Sequence, residues 1–179
     1  ADSIPDGTGQ DESMDLLAAA VPVRVVEWYQ KLIRMVGWKL SAMAPASSAI
    51  SNLIMSDQGK QDVRRSNCCV MDCGRQGVRL YFYQKGLLFA KRGLEFCDTE
   101  ERLLFELEKI WDYYQTCYPG YIPELIYVTG GKRNPLLEAA ITERLEIECC
   151  DWTKLLDNSQ EPVRGLISAE AAGITFWKG

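Results

Sequence analysis

The chain has 179 residues, 47% apolar and 25% charged, with a formal net charge of −5. At roughly 150 residues per domain, this length predicts one domain, or one large lobe plus a piece of another, and the composition excludes a disordered, collagen-like or coiled-coil chain. Asp2, Asp6, Asp11, Glu12 and Asp15 carry the whole net charge, and the other twenty acids balance the twenty Lys and Arg, which argues against a nucleic-acid surface.

In chain order, residues 1–13 read as a flexible acidic tail, the reverse of the basic start of a secretory leader. No run approaches the ~18 apolar residues of a membrane-spanning helix, so direct membrane insertion is not expected. Residues 14–21 form an apolar run of strand length. Pro22 opens a helix whose stripe is Val25, Val26, Tyr29, Leu32, Ile33 and Val36, and Gly37 ends it. A second short strand is expected over 38–45, then a helix over 47–55 capped by Ser47 or Ser48. The polar stretch 56–66, with Arg64 and Arg65 read as a solvated turn, marks a boundary.

Beyond it, residues 67–74 predict a buried strand. Residues 78–96 predict a hairpin turning at Gln84-Lys85-Gly86. Asp98 and Glu101 stand at capping-box spacing before a long helix bearing Leu103, Leu104, Leu107, Trp111 and Tyr114. Pro119-Gly120 breaks that helix, and 124–131 is a buried strand ending in a glycine pair. Asn134 caps and Pro135 starts a helix to about Leu145. A strand over 146–152, a polar loop over 157–162 and a last helix from about Gly165 complete the pattern. Strands alternating with helices predict an α/β architecture with a mixed sheet flanked by helices.

The seven Cys are odd in number and include the adjacent pairs Cys68-Cys69 and Cys149-Cys150, unlike a secreted disulfide framework. Only Cys69 and Cys73 have zinc-like spacing, with no second pair to answer them. They read as small buried hydrophobes in a reducing cytoplasm. The absence of His excludes Ser-His and Cys-His hydrolases, and no catalytic residue is assigned. Trp28, Tyr29, Trp111, Tyr113 and Tyr114 lie on amphipathic helices and read as core or groove-lining. Lys132 and Arg133 read as solvated.

Two turns could carry chemistry. In Asp72-Cys73-Gly74-Arg75-Gln76-Gly77 a carboxylate could hold a hydrated Mg²⁺, while Gly74 and Gly77 leave room for a phosphate to reach backbone N–H groups. In Thr129-Gly130-Gly131, before the helix at Pro135, a glycine pair between a strand and a helix N-terminus suits a nucleotide. Either turn could equally be no more than a turn.

Taken together with the hairpin and helix between them, these turns resemble the second lobe of the actin-like (ribonuclease H-like) ATPase superfamily. More narrowly, residues 14–179 resemble the C-terminal half of the PilM-like proteins of type IV pilus assembly. The resemblance is carried by 14–53, 68–96, 122–152 and the closing GLISAEAAGITF. It implies an actin-like second lobe over 67–179 and a small partial inserted subdomain with its connecting helix over 14–56. It also implies a cytoplasmic scaffold, peripheral to the inner membrane, that docks the tail of a PilN-like partner. Homodimerisation is left open.

Carried over by position, Asp72 and Gly74 match the second phosphate motif and Gly130 and Gly131 the adenosine motif, with ATP and Mg²⁺ as the implied cofactors. Gly77 departs from the family pattern, which usually has Thr or Ser there. Losing that hydroxyl donor to a charged group is worth about 1.5–3 kcal/mol, or roughly tenfold or more in affinity, and Arg75 is a candidate replacement. The family's first phosphate loop has no counterpart in these residues, so only weak ATP binding and no independent enzyme are expected. The cytoplasmic domain of a GspL-like type II secretion protein, or the C-terminal lobe of an ATP-dependent sugar or acetate-type kinase, are the alternatives.

Overall fold

The computed structural model describes residues 20–40, 43–56, 60–95, 99–156 and 169. Five helices, α1 (Val23–Met35), α2 (Ala46–Met55), α3 (Gln61–Arg65), α4 (Glu100–Cys117) and α5 (Pro135–Leu145), accompany five strands. The strands are β1 (Asn67–Cys73), β2 (Gly77–Gln84), β3 (Leu87–Glu95), β4 (Leu125–Thr129) and β5 (Glu148–Asp151). They form one mixed sheet in the order β3-β2-β1-β4-β5. The first three strands pair antiparallel through tight turns, and β4 and β5 add in parallel because α4 and α5 carry the chain back across the sheet.

Side-chain alternation sends apolar groups to both faces, so β1 reads as a continuous buried run. Cys68, Val70, Tyr81, Tyr83 and Tyr127 pack with Ile50, Leu53 and Ile54 of α2 on one face. Cys69, Met71, Leu80, Phe82, Ile126 and Val128 pack with Leu103, Leu107 and Trp111 of α4 and Ile141 of α5 on the other. Two polar anchors fix the helices on these faces. The Tyr83 hydroxyl donates to the Ser47 carbonyl at 2.9 Å, and Arg144 of α5 bridges Glu108 and Glu101 of α4 at 2.7 and 2.6 Å.

Most of the expected elements are present. Asn134 Oδ1 accepts from the Leu136 N–H at 3.0 Å, capping α5 as the sequence predicts. The hairpin turns at Lys85 and Gly86, both in the left-handed region with φ of 49° and 79°. Four departures have local causes. No strand occurs at 38–40 or 43–45, because the Trp38 N–H folds back onto the Ile33 carbonyl at 3.1 Å and closes α1 with Gly37. Neither Ser47 nor Ser48 caps α2; its N-cap is Pro45 and both serines lie inside the first turn. Thr99 rather than Asp98 caps α4, its Oγ1 accepting from the Arg102 N–H, and residue 98 lies outside the described residues. The polar stretch contains α3, and Arg64 there is no solvated turn: it donates to the Ile54 and Ser56 carbonyls at the end of α2.

The chain divides into two units, Ala1–Met43 and Ala44–Gly179. The second unit includes α2, which packs into the core of the sheet. In the first unit α1 buries none of its residues, and Trp28 and Tyr29 are exposed, meeting edge-to-face at 4.9 Å. Trp111 and Tyr114 belong to the core, whereas Tyr113 is exposed. The expected tail over 1–13, the expected strand over 14–19 and the loop over 157–162 lie outside the described residues. Of the expected last helix only Ala169 is described, and it is helical and fully buried.

Candidate functional site

In open α/β sheets ligands collect beyond the carboxyl ends of the strands, and both glycine turns stand there. Asp72, next to last in β1, is in register with Arg79 of β2 on one side and with Thr129 of β4 on the other. These three residues belong to the sheet face that carries α2, so they meet at one rim. Arg79 Nη1 lies 3.4 Å from Asp72 Oδ2; the Asp72 side chain is 11% exposed and that of Arg79 49%. Burial pushes the Asp72 carboxyl above its ordinary value, and the Arg79 charge opposes that only in part. Thr129 is fully buried, and its hydroxyl accepts the Ala169 N–H at 2.8 Å, tying Ala169 to this rim.

The second turn is folded onto the first. The Lys132 N–H donates to the Cys73 carbonyl at 3.0 Å. Gly130 has φ of 97°, and a Cβ there would stand 2.5 Å from the Cys73 carbonyl oxygen and 2.7 Å from Asp72 Oδ1. Only glycine lets the end of β4 come this close to the carboxylate. Gly131 is exposed, with nothing within 4 Å of where a Cβ would be. Asp72, Gly74, Gly77, Gly130 and Gly131 therefore lie on two turns that meet at this rim. Arg75 is exposed on the same turn and makes no ion pair with a described residue.

The first turn behaves differently from the sequence expectation. The Gly74 N–H is spent on the Gly77 carbonyl at 3.0 Å, so Gly74 offers room rather than a donor. Gly77 has φ of 147°, and a Cβ there would run into the Leu94 carbonyl oxygen of β3. The family's hydroxyl donor is thus replaced by strand packing, and no side chain fits at this position without moving β3.

Arg133 is not solvated. Its guanidinium grips both oxygens of Glu138 at 2.9 and 3.0 Å and also bonds Asp151, clamping the first turn of α5 to the end of β5. The hydrogen bonds to Glu138 and Asp151 raise its pKa further, and the side chain is committed to structure. Cys73, beside the site, stays a thiol: burial and the Asp72 carboxylate push it up to about 12. Cys68 is likewise pushed up to about 12 by burial, in keeping with cysteines used as small buried hydrophobes.

Arg79, Thr129 and Ala169 were not singled out by the sequence reading. The signal for Arg79 was present, since a tight turn pairing Cys73 with Val78 sets Asp72 opposite Arg79. Thr129 required the parallel register of β1 and β4, which no local pattern reveals.

Open space lies at Gly131, whereas the space a Cβ would take at Gly130 is filled by the Cys73 carbonyl and the Asp72 carboxylate. A divalent cation fits less well. Among the described residues no three His, Cys, Asp or Glu side chains stand together as a metal site, and the one carboxylate at the rim already faces a guanidinium.

No protein-family model and no curated protein matches the chain. Among solved structures it is similar to that of the PilM-PilN type IV pilus biogenesis complex, with a TM-score of 0.62 and 15% identity. The match covers 83% of this chain and 56% of that one, so this chain spans little more than half its neighbour's length. The fold is actin-like. Two more distant structures are similar over about three quarters of this chain. Ethanolamine utilization protein EutJ from Carboxydothermus hydrogenoformans has a TM-score of 0.49, 14% identity and coverage of 76% of this chain and 60% of that one. A protein with an actin-like ATPase fold from Bacteroides thetaiotaomicron has a TM-score of 0.47, 12% identity and coverage of 74% and 45%. Among the described residues no helix is long and apolar enough to cross a membrane.

Proposed function

We propose that this chain is the second lobe of an actin-like scaffold for type IV pilus or related secretion assembly, with a partial ATP site at the Asp72 rim. The observation that carries the nucleotide reading is that two glycine turns meet at a buried carboxylate beyond the strand ends, with open space at Gly131. In this role Gly130 and Gly131 receive the adenosine side of the ligand. Asp72, Gly74 and Arg75 border its phosphates, and Thr129 holds the Ala169 segment against the rim. The pilus reading rests on the similarity to the PilM-PilN complex. By that likeness the partner is the tail of a PilN-type membrane protein, which would hold this chain at the cytoplasmic face of the inner membrane. The role proposed for it is that of an adaptor.

A thermal melt with and without saturating Mg-ATP tests the nucleotide site. A ligand at a hundredfold excess over Kd stabilises the folded state by about 2.7 kcal/mol, which raises the midpoint of a chain this size by several degrees. The rise is expected in the parent and lost in Gly130→Ala, whose Cβ would push the second turn off the rim. An unchanged midpoint in the parent overturns the ATP reading.

A further inference from the structure

This inference rests on the nucleotide reading of the Asp72 rim and concerns Arg79, the cation that meets Asp72 among the described residues. Arg79 sits on the rim by register, next to the carboxylate on which a hydrated divalent ion would depend. The carboxylate is inside and the guanidinium half outside, so an anion arriving from solvent meets Arg79 before Asp72. At 3.4 Å the contact uses one N–H of a group that carries five, so Arg79 can hold Asp72 and an incoming phosphate oxygen together.

The other groups near the rim are placed differently: Arg75 is exposed on the turn and makes no ion pair with a described residue, whereas Arg79 is held against Asp72. Arg133 is committed to Glu138 and Asp151, and Gly77 has no space for a hydroxyl donor. Among the described residues, the rim thus pairs the Asp72 carboxylate with the half-exposed Arg79 guanidinium.

We propose that the site takes phosphate-bearing nucleotide without a divalent metal, Arg79 supplying the positive charge that Mg²⁺ would otherwise bring. Without Arg79 the buried Asp72 repels the phosphates, and a metal is then needed to bridge the two anions.

Calorimetric titration of the full chain with ATP, once in excess MgCl₂ and once in excess EDTA, tests this. The parent is expected to bind with the same affinity in both, within about threefold. Arg79→Gln is expected to lose roughly tenfold or more in EDTA, as for a lost charged hydrogen bond, and to recover affinity when Mg²⁺ is added. Arg79→Lys, which keeps the charge, is expected to retain most of the EDTA binding. Parent binding that disappears in EDTA overturns the inference and leaves the nucleotide reading standing. No binding in either buffer overturns both. Because the comparison of buffers is made on the parent, the result stands even if a variant fails to fold.

Discussion

At the first turn of the rim, the missing side chain of Gly77 makes room for the backbone of β3. At the second, the missing side chain of Gly130 makes room for the end of β1 and the Asp72 carboxylate, while Gly131 beside it opens to solvent. One glycine lets two strands of a hairpin meet; the next pair shapes a floor. A glycine therefore marks a close approach, and the identity of the atom approached separates a folding requirement from a ligand requirement.

Substitutions can break this contrast, beginning with the largest effect. Gly77→Ala combines a positive φ with a collision against the Leu94 carbonyl and is expected to cost about 4 kcal/mol, seen as a large fall in the urea midpoint. Gly130→Ala is expected to cost about 3 kcal/mol on the same grounds and to abolish the ATP-induced rise in melting temperature as well. Should Gly130→Ala fold and bind ATP like the parent, the floor assigned to Gly130 does not exist.

Thr129→Val keeps the shape of the side chain but leaves the buried Ala169 N–H without its acceptor. A loss of about 2 kcal/mol is expected, together with faster amide exchange at Ala169 by hydrogen-exchange mass spectrometry or NMR.

Asp72→Asn has the opposite sign. Burial raises the folded carboxyl above its unfolded value, so stability is fullest below the ordinary aspartate range and falls as the pH rises through the folded value. The amide removes that loss. Asp72→Asn is expected to melt higher than the parent at pH 7 and to match it below about pH 3.9. A variant less stable than the parent at pH 7 would show that Arg79 outweighs burial.

The smallest effect belongs to Gly131→Ala. With open space around it and no left-handed φ, a change within about 0.5 kcal/mol is expected in the absence of ligand. Any substantial consequence would appear only in nucleotide affinity by titration.

Much of this molecule was legible because its signals are local. Asn134-Pro135 sets a helix start through a hydrogen bond two residues long, and Lys85-Gly86 sets a hairpin through two backbone angles. The apolar stripe of α4 found its core, with Trp111 and Tyr114 buried. A similar stripe on α1 is buried nowhere along the helix. A period of 3.6 residues specifies a face but says nothing about what covers it.

The expected strand over 38–45 failed because a strand is completed by a partner, and residues 38–40 instead follow the close of α1. Arg64 and Arg133 were misread for a related reason. Their acceptors lie eight and ten residues away for Arg64, and five and eighteen for Arg133, distances that only the packing of α2, α5 and β5 makes short.

The sequence by itself determined the alternation of strands and helices, the turn chemistry and the candidacy of Asp72, Gly74, Gly77, Gly130 and Gly131, since each follows from composition, period or backbone freedom near one residue. The tertiary structure alone decided that β1 pairs with β4 and so puts Thr129 beside Asp72. It also decided that Gly77 serves β3 and that Arg79 stands beside the Asp72 carboxylate. These are contacts between strand ends far apart in the chain, and they exist only once the hydrophobic cores on both faces have fixed the register of the sheet.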